Sequence, residues 1–83
     1  MSHDTTHHTD PHGKLVYMAN QIAKFMESKP HAEGVDLLAS HINDFWEPRM
    51  RIQFFEVIDA GGAGLRPLVL EAAPQIKRPA LAA

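Results

Sequence analysis

The sequence predicts an all-α domain, and three observations carry that prediction. Apolar residues recur three and four apart from Leu15 onward, Pro30, Pro48 and Pro67 punctuate the pattern, and no alternating run of β-branched residues occurs. The expected architecture is one domain over 13–76. It has three main helices near 14–28, 32–45 and 48–60, and a short fourth near 67–73. A disordered His-rich arm (1–12) precedes it and a loose tail (77–83) follows.

Each element has its own grounds. Four of the six histidines, His3, His7, His8 and His12, crowd the arm, which contains almost nothing apolar. His-rich tracts can bind metal, but this spacing is irregular and a solvated tail is the simpler reading. Asp10-Pro11 has the form of a helix start, an Asp cap before a proline at the first position. Gly13 moves the expected start slightly later. In the first helix Leu15, Met18, Ile22, Phe25 and Met26 share a face that Ala19 and Ala23 widen. Tyr17, Asn20, Lys24, Glu27 and Ser28 lie opposite, and Pro30 biases Lys29 out of helical geometry.

The second helix carries Val35, Leu38, Ala39, Ile42 and Phe45 as its stripe. Gly34 weakens it by ~1 kcal/mol relative to alanine, less so in a first turn. His41 reads as a half-exposed surface residue. Pro48 is preorganised to begin the third helix, and Gly61 is its expected left-handed terminator. This helix is unusual. Met50, Phe54, Val57 and Ile58 share one face, while Ile52 and Phe55 form a second, expected to be partly exposed in the isolated chain. Such a pair is either a modest exposed patch or a docking surface. The turn Gly61-Gly62-Ala63-Gly64 leaves room for the fourth helix to fold back over that face, with Leu65 and Leu68 available. Leu68, Val69 and Ala72 are the fourth helix's own apolar side, and Pro74 ends or kinks it.

Composition narrows function. Net charge is −2 and the pI is about 6.3, whereas domains held by phosphate contacts are usually basic. No apolar run approaches the ~20 residues that span a bilayer, and the polar N-terminus lacks the regions of a signal peptide. A cytoplasmic protein with no membrane or nucleic-acid partner is expected. With no cysteine, disulfides are excluded and thiolate-built clusters or structural zinc are disfavoured. A core of about seventy residues usually supplies only ~3–5 kcal/mol unless something staples it. The remaining staple is a partner surface.

No catalytic constellation emerges. Ser40 and His41 are adjacent on a helix and point about 100° apart, so they do not form a nucleophile–base pair. Gly62-x-Gly64 follows a helix rather than a strand, and Pro67 stands where a dinucleotide fingerprint has its third glycine. Glu47, Glu56 and Asp59 read as solvated helix charges. The chain alone is therefore not expected to be an enzyme, and no catalytic, cofactor or metal residues are assigned.

Three segments together are more specific. They are Leu15-Val16-Tyr17-Met18-Ala19-Asn20-Gln21-Ile22-Ala23-Lys24-Phe25, then His41-Ile42-Asn43-Asp44-Phe45-Trp46-Glu47-Pro48-Arg49-Met50-Arg51, then Asp59-Ala60-Gly61-Gly62-Ala63-Gly64-Leu65-Arg66-Pro67-Leu68-Val69. In this order and spacing the chain resembles the delta subunit of cytoplasmic, NAD-dependent, molybdenum-containing formate dehydrogenases, over roughly 14–76. Pro74 departs from the uninterrupted helix expected there. The resemblance implies a non-catalytic subunit linked to assembly, stability or cofactor retention. It implies an alpha subunit carrying a molybdenum bis-guanylyl pterin and iron–sulfur clusters, a beta subunit with FMN and the NAD site, and a gamma subunit with a further cluster. The complex would oxidise formate to carbon dioxide with reduction of NAD.

Trp46, Arg49, Met50 and Arg51 are the first candidates for docking, since Trp and Arg are enriched among interface hot spots. Ile52, Phe55, Gly62, Gly64 and Leu65 complete the candidate interface. Trp46 has a second reading as a core residue at the edge of its helix's stripe. Arg49 and Arg51 point to different sides, so that one would meet a partner carboxylate while the other closes an internal pair. Two further functions compete. A helix-turn-helix DNA-binding regulator would use the second and third helices, although Ile52, Phe54 and Phe55 would be poor readers of base edges. A small enzyme or metal carrier would use the histidine arm.

Overall fold

The computed structural model describes residues 11–79. They form four α-helices, α1 (Pro11–Met26), α2 (His31–Phe45), α3 (Pro48–Asp59) and α4 (Pro67–Ala72), followed by a 3-10 turn at Ala73–Gln75. No β-strand occurs among the described residues. The all-helical prediction and its four elements hold. The first helix begins at Pro11, three residues before the expected start, because proline's fixed φ suits a first turn and Gly13 does not interrupt it. His12, assigned to the arm, is thus helical; the rest of the arm's histidines lie outside the described residues.

α1 packs against α2, α3 and α4, and α2 packs against α4 and the 3-10 turn. Having three neighbours decides which side of α1 is buried. Leu15, Ala19 and Ala23 form the covered line, with both alanines at 0% exposure, while Met18, Ile22 and Met26 are half-buried at its edge. Small side chains permit close helix approach, so the centre of contact lies on the alanine side. Phe25, expected in the stripe, is turned outward and is 64% exposed.

α2 buries Val35, Leu38, Ala39 and Ile42. Its apolar line continues one turn beyond Ile42 to Trp46, not to Phe45. Trp46 is 5% exposed, whereas Phe45 is 72% exposed and lies beside the His41 ring at 4.9 Å. The core reading of Trp46 is the correct one. Its indole meets Phe54 edge-on at 6.2 Å, and Phe54 meets Phe55 edge-on at 5.1 Å, a favoured aromatic geometry.

Where α1 hands over to α2, the backbones nearly touch. A Cβ on Gly34 would lie 2.8 Å from the Met26 carbonyl oxygen. The glycine that weakens α2 locally is what lets the two helices meet there. At the other end of α3, Gly61 takes φ +116° and donates its N–H to the Ile58 carbonyl, while Gly62 donates to Val57 at 2.8 Å. These paired bonds are a Schellman stop, and they confirm Gly61 as the left-handed terminator.

The main departure concerns the second face of α3. Phe55 is buried at 6% exposure and Ile52 is half-buried. The chain after α4 returns over that face: Phe55 shares one hollow with Ala73, Ile76 and Arg78. The Arg78 guanidinium lies 4.2 Å from the Phe55 ring centroid and makes a bidentate pair with Asp59, at 2.7 and 3.2 Å. The fold-back anticipated for α4 is thus made largely by the segment beyond it. Pro74 ends the α-helix as expected and sits in the 3-10 turn that redirects the chain. Lys77 and Arg78 are held by side chains of α2 and α3, so the fastened chain extends past the expected boundary at Ile76.

Candidate partner interface

Polar side chains lock the long-range connections before any surface is left for a partner. The Asn20 side chain on α1 donates to the Gly64 carbonyl at 2.8 Å and accepts the Arg66 N–H at 2.9 Å. Asn43 on α2 does the same one element later, donating to Gln75 O at 3.0 Å and accepting from Lys77 N at 2.8 Å. Each carboxamide pins a backbone carbonyl and the amide two residues further on. Arg66 closes the first of these joints with a bidentate pair to Glu27, at 2.7 and 2.8 Å.

These arginine pairs hold both carboxylates ionised. Hydrogen bonds from Arg66 keep Glu27 below the ordinary carboxylate range, and those from Arg78 do the same for Asp59, against a smaller opposing cost of desolvation. Each arginine is pushed up in turn by its partner. Two histidines also join distant elements. His12 reaches Glu56 at 2.8 Å and His31 reaches Glu71 at 2.6 Å. All four contacts are at the surface, and no polar or charged side chain among the described residues is buried.

The sequence-selected interface residues divide sharply. Trp46, Phe55, Gly62 and Leu65 are buried in the chain's own fold. Arg51 is half-buried and turned inward: its Nε donates to Trp46 O at 3.3 Å and an Nη to Lys77 O at 2.8 Å. Met50 is half-buried against the core. Gly64 is exposed, but its carbonyl is occupied by Asn20. Arg49 is exposed and closes no ion pair. Ile52 stands at the edge of a shallow groove of about 240 Å³ with Glu56, Asp59 and Pro79. Of the nine, Arg49 and Gly64 are exposed, and Met50, Arg51 and Ile52 are half-buried.

Sequence reasoning did not select as docking candidates the large apolar residues that are most exposed: Tyr17 and Phe25 on α1 (64% each), Phe45 at the end of α2 (72%) and Leu70 on α4 (43%). Tyr17 sat plainly on the polar side of α1. Phe25 and Phe45 were absorbed into stripes whose true centres lie elsewhere. Apart from such patches the described surface offers no grouping of three or more His, Cys, Asp or Glu side chains able to hold a metal ion. No helix among the described residues is long and apolar enough to cross a membrane.

Comparison with known families places the chain. Residues 14–73 match the family described as NADH-dependent formate dehydrogenase delta subunit FdsD. That span runs from just before Leu15 to the first residue of the 3-10 turn, and so takes in α2, α3, α4 and all but the first three residues of α1. Comparison with curated proteins and with solved structures finds no match. The helix-turn-helix reading gains no support, and the Phe54 and Phe55 side chains of its would-be recognition helix are buried. With 60 of 83 residues matched (14 through 73), the chain belongs to the family of NADH-dependent formate dehydrogenase delta subunits.

Proposed function

We propose that this chain is a non-catalytic accessory subunit of a cytoplasmic, NAD-dependent, molybdenum-containing formate dehydrogenase. In this reading it supports assembly, stability or cofactor retention of the large alpha subunit, in a complex with beta and gamma subunits. The observation that carries the proposal is the family match across all four helices. The redox groups — molybdenum bis-guanylyl pterin, iron–sulfur clusters and FMN — belong on this proposal to the other subunits. A chain without cysteine has no thiolate to offer a cluster.

The chemistry of the surface supports the same reading. The described carboxylates with perturbed acidity are both bound to arginines that fasten the fold, Asp59 at the rim of the shallow α3 groove included. Active sites place such groups where burial and neighbours tune them toward neutral pH. Here the arginines tune Glu27 and Asp59 the opposite way, toward permanent charge.

The test is co-purification. The tagged full chain, expressed with the other subunits, should bring down the large formate dehydrogenase subunit together with molybdenum. Its omission should lower formate-dependent NADH formation, while the chain purified alone should show neither flavin nor cluster absorbance. A stoichiometric redox cofactor on the isolated chain, or failure to recover any formate dehydrogenase subunit, would overturn the proposal.

A further inference from the structure

The outward face of α1 has a composition unlike the rest of the surface. Tyr17, Gln21 and Phe25 are four residues apart and form one exposed ridge, with both rings 64% exposed. At 1.5 Å per residue the rings stand about 12 Å apart along the axis. Lys14 and Lys24 lie three or seven residues from members of that ridge and are exposed. Lys29 follows just beyond the helix, with its Nζ 5.5 Å from the Phe25 ring centroid. No Asp or Glu occurs within α1, and none of the three lysines closes an ion pair. The polarity reverses on α2, whose exposed charges are Glu33, Asp36 and Asp44, with no Lys or Arg. Glu27, one residue past the helix, attracts Lys24 but is already bound by Arg66, so a chain of net charge −2 gathers net positive charge around its two exposed α1 aromatics.

Resting on the delta-subunit reading above, we infer that this ridge is the docking face, and that its occupant is an acidic surface of a formate dehydrogenase subunit with apolar hollows for Tyr17 and Phe25. Charge complementarity selects that occupant. Positive and negative patches pair across interfaces, and aromatic anchors at the centre carry the affinity. A second copy of the chain is a poorer fit. A two-fold contact would set lysines against lysines, and a contact of α1 with the acidic α2 face of another copy is head-to-tail and grows open chains unless it closes into a ring. The ridge does not depend on the α3 groove at Ile52, so the two surfaces can be separated by mutation.

The experiment co-expresses the tagged full chain with the formate dehydrogenase subunits and compares wild type with Tyr17→Ser/Phe25→Ser, Lys14→Glu/Lys24→Glu and Ile52→Ser. Each α1 double variant should recover about ten-fold less large subunit or lower, the scale of losing a hot-spot residue. Ile52→Ser should recover as much as wild type, and wild-type recovery should fall as salt is raised. Circular dichroism of the isolated chains should be unchanged. Should the aromatic variant lose helicity, the charge-reversed variant decides, since its side chains are exposed. Equal recovery by wild type and the α1 variants overturns this inference and leaves the delta-subunit reading standing. Failure of wild type to recover any subunit removes both. Self-association of the wild-type chain that Lys14→Glu/Lys24→Glu abolishes, or binding of the chain to anionic phospholipid vesicles in place of the subunit, also overturns it.

Discussion

Replacing Gly34 by alanine sets two effects of known sign against each other. In an ordinary helix interior the change stabilises by ~1 kcal/mol, because glycine loses more backbone freedom on folding. Gly34 is the fourth residue of α2, where that gain is reduced. The added Cβ would sit 2.8 Å from the Met26 carbonyl oxygen and 3.7 Å from a Leu68 methyl. The oxygen is backbone in the last turn of α1 and cannot rotate away, and only residues 27–30 link the two helices. Relief requires α1 and α2 to part, and inserted methyl groups of this kind cost ~1–3 kcal/mol. The expected net is a loss of about 0.5–2 kcal/mol. For a domain this size that is a fall in Tm of roughly 2–16 °C, at ~4–8 °C per kcal/mol. The measurement is a thermal melt of the full chain followed by circular dichroism. Ser40→Ala, at an exposed position of the same helix, serves as the control and should melt at or slightly above wild type. If Gly34→Ala rises with it, the helices do not meet at this carbonyl and the account of α1–α2 packing is wrong.

Two further predictions follow from the covered face of α3 and from the arginine pairs. Phe55→Ala should destabilise the isolated chain by ~3–5 kcal/mol, enough to unfold a small domain, whereas Ile52→Ser should cost ~1 kcal/mol or less; urea titrations that superpose for Phe55→Ala and wild type would return Phe55 to the surface. Glu27 and Asp59 have folded-state acidities below their unfolded ones, so their contribution is complete above the unfolded value near pH ~4 and is lost as pH falls through the lower folded value. Tm should drop below about pH 4, and Glu27→Gln/Asp59→Asn should flatten that slope; an unchanged acid slope in the variant would refute the assignment.

The helices were legible because their signals are local. A 3.6-residue apolar period and three prolines place them, and their ends moved only by a few residues. The burial of particular residues was less legible, for reasons visible in single cases. Periodicity says that α1 has a face, but the number of neighbours sets its centre. With three helices against it, α1 buries the Leu15–Ala19–Ala23 line and releases Phe25. On α2 the buried line runs on from Ile42 by four residues to Trp46, whose N–H still bonds the Ile42 carbonyl, and not by three to Phe45. Two apolar faces on α3 could not both be assigned to the core without knowing that residues 73–78 return across it. Asn20 and Asn43 gave no local signal at all. Their partners are 44 and 46, and 32 and 34, residues away, and a lone helical asparagine is otherwise an unremarkable surface residue.

Those misplacements alter the argument from core size to partner. Apolar residues in excess of a small core were a reason to look for a docking surface, and Ile52 with Phe55 seemed the surplus. The fold absorbs Phe55 through Arg78, Asp59 and Ile76, and it absorbs Trp46 through Phe54 and Arg51. The surplus that remains is Tyr17, Phe25, Phe45 and Leu70, on positions whose side chains contribute little to the interior. Burying such an aromatic fully against a partner is worth up to ~1.5–3 kcal/mol, whereas removing it from the free chain gives up only the third or so of its surface that is already covered. Stability and association are therefore written on different residues here. Substitutions at Phe54, Phe55 or Trp46 would lower binding only by depleting folded chain, and substitutions at Tyr17 and Phe25 would lower it with the fold intact. A measurement of binding per folded molecule distinguishes the two classes, and it is the quantity by which any interface on this subunit should be judged.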